Sequence, residues 1–486
     1  MITLSCLPGS TNTLAGTTPP TTAAPTTAAP TPAPATTTST PAKFTFFLSP
    51  DGSDSNDGLS LGSPWQSLSH AVSEVRRVRG SQPTQEDKAL LRLLDGTYFL
   101  QETLALANTR DAFLEIAAYS SSDNVIISGG VSGGALNWAE SNGVRTASFP
   151  GTCAEVFLDE LRLLPARSPN LPSWGVNMPT AQGPWHTITD LLETTADCQR
   201  VSNKFKQNCP DSNKQGFVIA GDEISGSWED LDQTQVMVFH SWIAEYTKVA
   251  SVRNVGGRTE LKFQQPLSHA PVGQWNKAGD WRFLILNNRE VLDQEGEMVC
   301  TEQGGTVTLS YIPPAGMESS TPVLAVLETL ISIARTSSIT LRNLKFRHTS
   351  SGGVDGYTWG SQSAVKVDRA DDVTIDSCEF NHIGMVGLFI RATNRMTVTN
   401  SQFLDVGSHG LLALAREADT VNRNRNLVIK GNTFNGIGLT RLLIFNSHHI
   451  SPSSRYWQPA GAWVEGRSNI TVSKNEITGS TNTGIR

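Results

Sequence analysis

From residue 339 to the end of the chain, apolar and polar residues alternate in short runs that recur. Five stretches align: ITLRNLKF at 339–346, VTIDSCEF at 373–380, MTVTNSQF at 396–403, LVIKGNTF at 427–434 and ITVSKNEI at 470–477. Each is apolar at its first, third and last places, and Phe346, Phe380, Phe403 and Phe434 share the last, with Ile477 there once. A second run precedes four of them: AVKVD at 364, GLFIR at 387, GLLAL at 410 and GAWVE at 461, with a fifth starting at Gly484. The steps 364 to 387, 387 to 410 and 461 to 484 are 23 residues each; the step from 410 to 461 is 51 and carries extra polar residues and TRLLIFNSHHISPSSRYWQ. A period of two excludes helical repeats. Two or three short strands per repeat predict a solenoid, here a parallel β-helix whose laps stack about 4.8 Å apart. The shared Phe predicts an internal ladder. Asn432 and Asn475, alike in the sixth place, predict an amide ladder, and Cys378 in that place reads as a buried free thiol. Gly387, Gly410, Gly461 and Gly484 are expected at sharp corners.

Upstream, KFTFFLSPDGSDSNDG reads as a strand and a turn-rich loop. Ser63-Pro64 then predicts a helix start, with Trp65, Leu68, Val72, Val75 and Arg79 at helical spacing. A solenoid needs its first open lap covered, and this helix is the expected cap. ALLRLLDGTYFL and FLEIAAYSSSDNVIISGG supply the first laps. Between about Val131 and Ala325 the period vanishes, and short strands such as VMVFH, TELKF, RFLIL and VTLSY alternate with Gly, Asn and Pro. An inserted β domain, sandwich-like or barrel-like, is expected there. The organisation read this way is a tail at 1–42, a cap and first laps at 43–130, the insert at 131–325, and further laps at 326–486 that read as truncated.

Composition narrows the partners. A net charge of −7 argues against nucleic acid and anionic membranes. No apolar run is long enough to span a bilayer. The tract TTPPTTAAPTTAAPTPAPATTTSTPA cannot build a core and reads as an O-glycosylated stalk outside the cell, although MITLSCLPGS lacks a convincing secretory signal. Cys198 with Cys209, and Cys153 with Cys300, are candidate disulfides; four free thiols are the alternative. Asn469-Ile470-Thr471 is the one N-glycosylation sequon, inside an expected strand.

FFLSPDGSDSNDG with PWQSLSHAV, then LLDGTYFL and VIISGG, resembles the opening of right-handed β-helix proteins of the pectate-lyase-like family. LRLLPARSPN and FLILNNREVLDQEGEMV with GTVTLSYIPP resemble the inserted β domain of one branch. That branch includes exo-acting glycoside hydrolases, among them α-L-fucosidase and xylanolytic enzymes. The resemblance runs from about Lys43 to Arg486. It implies an all-β fold: a right-handed parallel β-helix solenoid with an N-terminal capping helix and an inserted β-sandwich-like domain. It also implies a carbohydrate substrate, without naming the sugar. In those relatives the helix continues several turns past a segment like NEITGSTNTGI.

Alternation assigns faces within each GLFIR-type strand. Val365, Val367, Leu388, Ile390, Leu411, Ala413, Ala462 and Val464 are expected to point inward. Outward, Asp368, Arg391, Leu414 and Glu465 form one column, and Lys366, Phe389, Leu412, Trp463 and Arg486 the other. Aromatic rings stack on pyranose faces, and charged groups bond hydroxyls, so Lys366, Phe389, Arg391 and Trp463 are candidate sugar contacts. Tyr456, Trp457 and His449, in the long loop before Gly461, are further ones. His448-His449 without a third ligand is a weak metal signal, and His382 and His409 read as corner residues.

Glycoside hydrolysis needs two carboxyls about 5–9.5 Å apart. Glu465 and Asp368 are the catalytic candidates, but three laps separate them, roughly 14 Å. A partner for Glu465 is therefore expected from a loop, with Glu417, Asp419 and Asp405 as candidates, or from further laps. The leading expectation is an extracellular, monomeric glycoside hydrolase acting on a polysaccharide or oligosaccharide without a cofactor. The alternatives are a Ca-dependent polysaccharide lyase, for which Asp371, Asp372 and Asp376 are the clustered carboxylates, and a non-catalytic glycan-binding surface protein.

Overall fold

The computed structural model describes residues 42–486 except 152, 154, 171–184, 193–199, 202–203, 206–213, 240–243, 268–270, 272–280, 352–353, 356–361, 415–423, 438–446, 449–459, 465–467, 479–482 and 486. Its frame is a right-handed parallel β-helix with three walls. The first wall pairs eight strands: Phe44–Leu48, Ala89–Leu93, Leu114–Ala118, Ile339–Arg342, Thr374–Asp376, Asn394–Thr399, Arg425–Lys430 and Ser468–Ser473. The second wall has seven short strands, from Gly96–Phe99 through Lys345–Arg347, Glu379–Phe380, Gln402–Phe403 and Thr433–Phe434 to Glu476–Ile477. The third wall also has seven, including Leu104–Leu106, Ile331–Ala334, Ser363–Asp368, Val386–Arg391, His409–Leu414 and Ala460–Val464. His409–Leu414 pairs directly with Ala460–Val464, so the 51-residue step is one lap carrying a long excursion.

The interior is built of columns. Phe346, Phe380, Phe403 and Phe434 pair in register on the second wall and are fully buried. Their ring centroids lie 5.0, 4.6 and 4.7 Å apart, which is the strand spacing itself. Each lap thus presents the same ring surface to the next. The amide column forms too: Asn432 Nδ2 donates to Asn475 Oδ1 at 3.0 Å and to Val398 O at 3.0 Å, while Ser401 N donates to Asn432 Oδ1 at 2.9 Å. Cys378 is buried and unpaired, its thiol pushed up to about 12, chiefly by burial.

The corners differ from expectation. The left-handed bends between the first and second walls fall on Asn343, Ser377, Asn400, Gly431 and Lys474, with φ from 51° to 71°. Four of the five therefore take a conformation that L-residues adopt only at a cost. Gly387 is not a corner at all but lies inside the strand Val386–Arg391. A Cβ there would meet Gly410 O at 2.5 Å and Phe403 Cδ1 at 2.8 Å, so the glycine makes room for the next lap and the Phe column.

One helix, α1 (Leu68–Val78), covers the first lap with Leu68, Ala71, Val72 and Val75 buried. It starts four residues later than Ser63-Pro64 predicts, at the N-cap Ser67. Asp54 accepts from the backbone N–H of Gln66 and Ser67 and from Ser67 Oγ, which makes Ser67 the N-cap. Trp65 is left outside the helix, stacked on Phe46 at 4.6 Å. Arg79 is the C-cap.

The second wall's Val125–Ser128 leads into Gly130–Ser132, and the β-helix resumes after Val323–Ala325. Between them lie mostly antiparallel sheets of four, five and eight strands. They enclose apolar clusters of their own, one around Phe217, Phe263 and Phe283 and one around Leu158, Met298 and Tyr311. A disulfide joins Cys153 to Cys300 across 147 residues; Cys198 and Cys209 lie outside the described residues.

Two outcomes follow. Phe403→Ala removes the middle of the ring column and is expected to lower stability by about 3–5 kcal/mol, read from the denaturant midpoint; a loss under about 1 kcal/mol would contradict the column's role. Cys153→Ala is expected to lower stability by up to about 5 kcal/mol through the long loop it opens, while native Cys378 stays unreactive to an alkylating reagent until unfolding.

Candidate functional site

The third wall carries the outward columns. Lys366 pairs with Phe389, Phe389 with Leu412, and Leu412 with Trp463; Asp368 pairs with Arg391, and Arg391 with Leu414. The inward set behaves as its alternation requires: Val365, Val367, Leu388, Ile390, Leu411, Ala413 and Ala462 are all buried. Arg391 Nε donates to Asp368 Oδ1 at 2.8 Å and Nη2 to Oδ2 at 2.7 Å, a two-point pair between adjacent laps. The Asp368 side chain is 15% exposed. Burial pushes its pKa up, but the hydrogen bonds and charge of Arg391 outweigh this, with Arg369 and Lys366 adding to the effect. The carboxyl is held below its ordinary value. At neutral pH Asp368 is an anion, suited to act as a base, a nucleophile or a stabiliser of positive charge, and unsuited to donate a proton.

Phe389 is a correction. It is 1% exposed, packed with Val386, Leu412, Leu414 and Met385, and offers no open ring to a sugar. Outward apolar residues on successive laps fall side by side, and burying them is favourable; alternation says which way a side chain points, not whether that face is open. Lys366 is half-buried beside them. Trp463 holds its strand position, but its side chain, together with Glu465, Arg486, Tyr456, Trp457, His449, Glu417 and Asp419, lies outside the described residues. His448 pairs through its backbone with Asp355. Asn469 is exposed and donates to Asn426 Oδ1 at 2.8 Å.

The carboxylates of the lyase alternative are each engaged separately. Asp371 accepts from Asn394 N, Asp372 pairs with Arg395, and Asp376 with Arg342 and Thr399. Among the described residues no three His, Cys, Asp or Glu side chains converge as metal ligands.

The seam between insert and β-helix holds a polar cluster that sequence reasoning missed. The hairpin of Val156–Leu158 and Leu161–Arg162 lays Phe157 against His382 (4.8 Å) and His348 (5.1 Å). Arg162 sits 4.8 Å over Phe157 and pairs with Asp405 at 3.1 Å. Asp405 is thus a seam residue. Arg347 joins Glu160 of the hairpin to Glu379 of the second wall, and both oxygens of buried Glu155 accept from Ser351 N. The partners that meet across the seam lie 187 or more residues apart in sequence. One signal was present: His348, His382 and Asp405 each stand two places after a ladder Phe, and all three have positive φ. A shared place that is polar and left-handed marks a column that something must cover.

Burial holds His348 down to about 3 and pushes His382 the same way, so both are neutral at pH 7. A histidine whose folded pKa is depressed contributes its full stability above the unfolded value of about 6.5 and loses it as pH falls towards the folded value. The melting temperature is expected to drop between pH 7 and pH 5, less steeply in His348→Asn; equal slopes in the two proteins would contradict this assignment.

Within the insert, Ser168 Oγ lies 3.0 Å from His186 Nε2, and Glu223 Oε1 lies 3.9 Å from His186 Nδ1. The order resembles a nucleophile triad, but the carboxylate is beyond hydrogen-bond reach. Residue 169, next after the serine, is proline, with no N–H to hold an oxyanion. We read this pair as structural.

Comparison with known proteins agrees with the frame. The family described as "Right handed beta helix region" matches residues 329–425. No curated protein sequence matches the chain. A solved structure titled "Glycoside hydrolase" superposes with a TM-score of 0.68 at 17% identity, covering 91% of this chain and 79% of that one. One titled "The complex structure of XylC with xylose" gives a TM-score of 0.42 at 11% identity, over 89% of this chain and 58% of that one. The tailspike gp61 of Pseudomonas phage phi297 gives 0.25 at 10%, over 79% and 50%. At these identities the first likeness establishes the fold, and the looser two add no weight to it.

Proposed function

We propose that this right-handed β-helix protein is an extracellular glycoside hydrolase that works on a polysaccharide or its side chains along the outer third wall. The observation that carries the reading is the Asp368–Arg391 pair, a carboxylate kept anionic on an outward column. The fold shared with a glycoside hydrolase structure supports the substrate class. The disulfide between Cys153 and Cys300 suits an oxidising compartment, as does the Thr/Pro/Ala tract.

Hydrolysis of a glycosidic bond passes through an oxocarbenium-like state and needs one carboxylate anion and one proton donor. Asp368 is assigned the anionic role. Arg391 keeps it ionised and aimed, and its guanidinium is a positioning group rather than a proton donor. The proton donor that faces Asp368 is assigned to a carboxyl of a loop, since the spacing read from the sequence sets Glu465 roughly 14 Å from Asp368, beyond the reach of a direct pair. Lys366 and Trp463 are assigned to substrate hydroxyls and ring faces.

The test is release of reducing sugar from arabinoxylan, xyloglucan and pectic polysaccharides, and of nitrophenol from aryl glycosides. Asp368→Asn is expected to lose about a hundredfold or more in kcat, with folding retained. A wild-type rate in that variant would overturn the site. Glycan binding by the wild-type protein with no release from any substrate would favour a non-catalytic binding protein.

A further inference from the structure

A groove at the N-terminal end of the third wall is used by none of the residues assigned above. It has a volume of about 600 Å³ and runs between the outer side of α1 and the loop that follows the strand Gly96–Phe99. That volume lies in the range of small-ligand sites, about 300–1,000 Å³. Ser73 and Arg76 of α1 line one side, and Phe99, Gln101 and Glu102 the other.

Three features give the groove a chemistry. Phe99 is 41% exposed, whereas its neighbour Tyr98 is buried and anchors the lap through Leu48 O and Leu94 O. The Phe99 ring is therefore available to a ligand. Second, the charge of Arg76 is already matched: it donates to both oxygens of buried Asp111, at 2.7 and 2.9 Å, and to Ala105 O. Among the described residues Glu102 has no such cation, so the groove favours a neutral ligand over an anionic one. Third, among the described residues Ser73, Thr97, Gln101 and Glu102 make no side-chain hydrogen bond, and all four line the groove. A ring face beside hydroxyl, amide and carboxylate groups matches a pyranose, which offers a C–H face and hydroxyl edges.

The groove ends on the same wall as the proposed site. Its floor reaches Ala105 on the first strand of the third wall. Ala105 pairs with Ser332 and Ser332 with Lys366, one column that leads to the lap of Asp368 over on the order of 10 Å. We propose that this groove is an accessory subsite for a neutral polysaccharide, which stacks one ring on Phe99 and runs on along the third wall. For its ligand class the proposal rests on the carbohydrate reading; it does not depend on catalysis.

The experiment is affinity electrophoresis of the full chain in gels containing arabinoxylan, xyloglucan or polygalacturonate. Phe99→Ala removes the ring, and Ser73→Trp fills the groove from an exposed helix position; melting temperatures confirm that both fold. Retention by a neutral polysaccharide, weakened about tenfold or more in each variant, is the expected result. Retention equal to wild type in both variants, retention by polygalacturonate alone, or no retention of the wild-type protein overturns the proposal. Asp368→Asn in the same gels separates the two readings. Loss of retention there, with Phe99→Ala unaffected, defeats the groove and leaves the wall standing; retention weakened in Phe99→Ala, with hydrolysis unaltered in Asp368→Asn, defeats the wall and leaves the groove.

Discussion

Lap-to-lap registration is the constraint on which this molecule depends. Parallel pairing places each residue directly over its counterpart in the previous lap, and the rings of Phe346, Phe380, Phe403 and Phe434 hold that register inside the barrel. A one-residue slip would turn each strand's apolar set outward, so the columns are strongly specified. The same rule acts on the outside. Asp368 and Arg391 are 23 residues apart in sequence and become a bonded pair only because their strands lie in register.

The insert locks onto this frame at one edge. Its hairpin covers the column of left-handed residues that follows the ladder Phe positions, with Phe157 against two neutral imidazoles and Arg162 on Asp405. An unpaired charge at such a seam is costly, and a neutral histidine ring packs as an aromatic while its nitrogens still hydrogen-bond. His348 Nδ1 meets Ser128 Oγ, and His382 Nε2 meets Glu160 O. The seam lies where the chain leaves the second wall for the third. It fixes the corners from which the strands Val386–Arg391 and His409–Leu414 start, and so the edge of the outward columns.

What could be read from the amino-acid order follows from the range of each interaction. The solenoid was legible because its contacts repeat at a fixed offset: the Phe column, the Asn432–Asn475 ladder and the Asp368–Arg391 register all come from aligning one short pattern. The seam was not, since Glu160 and Arg347, or Arg162 and Asp405, meet only through the folding of the whole insert. Phe389 shows a different limit, because period two gives direction without cover. Gly387 shows a third: its lack of a side chain serves close packing, while the bends are made by Asn343, Ser377, Asn400 and Lys474. The start of α1 was misplaced because Asp54, a residue of the preceding loop, decides where the N-cap falls. The carboxylate pairing of a hydrolase stayed out of reach of spacing arguments, since the strand period that aligns Asp368 with Arg391 says nothing of carboxyls carried on loops.

The central claim is that the outer third wall is the face that meets carbohydrate. A crystal structure of the protein soaked with an oligosaccharide that it binds or releases tests this most directly. The account predicts a sugar ring within hydrogen-bond distance of Asp368 or Arg391. A ring bound instead against the outer face of the first wall, among Lys88, Arg92 and Glu115, would contradict it.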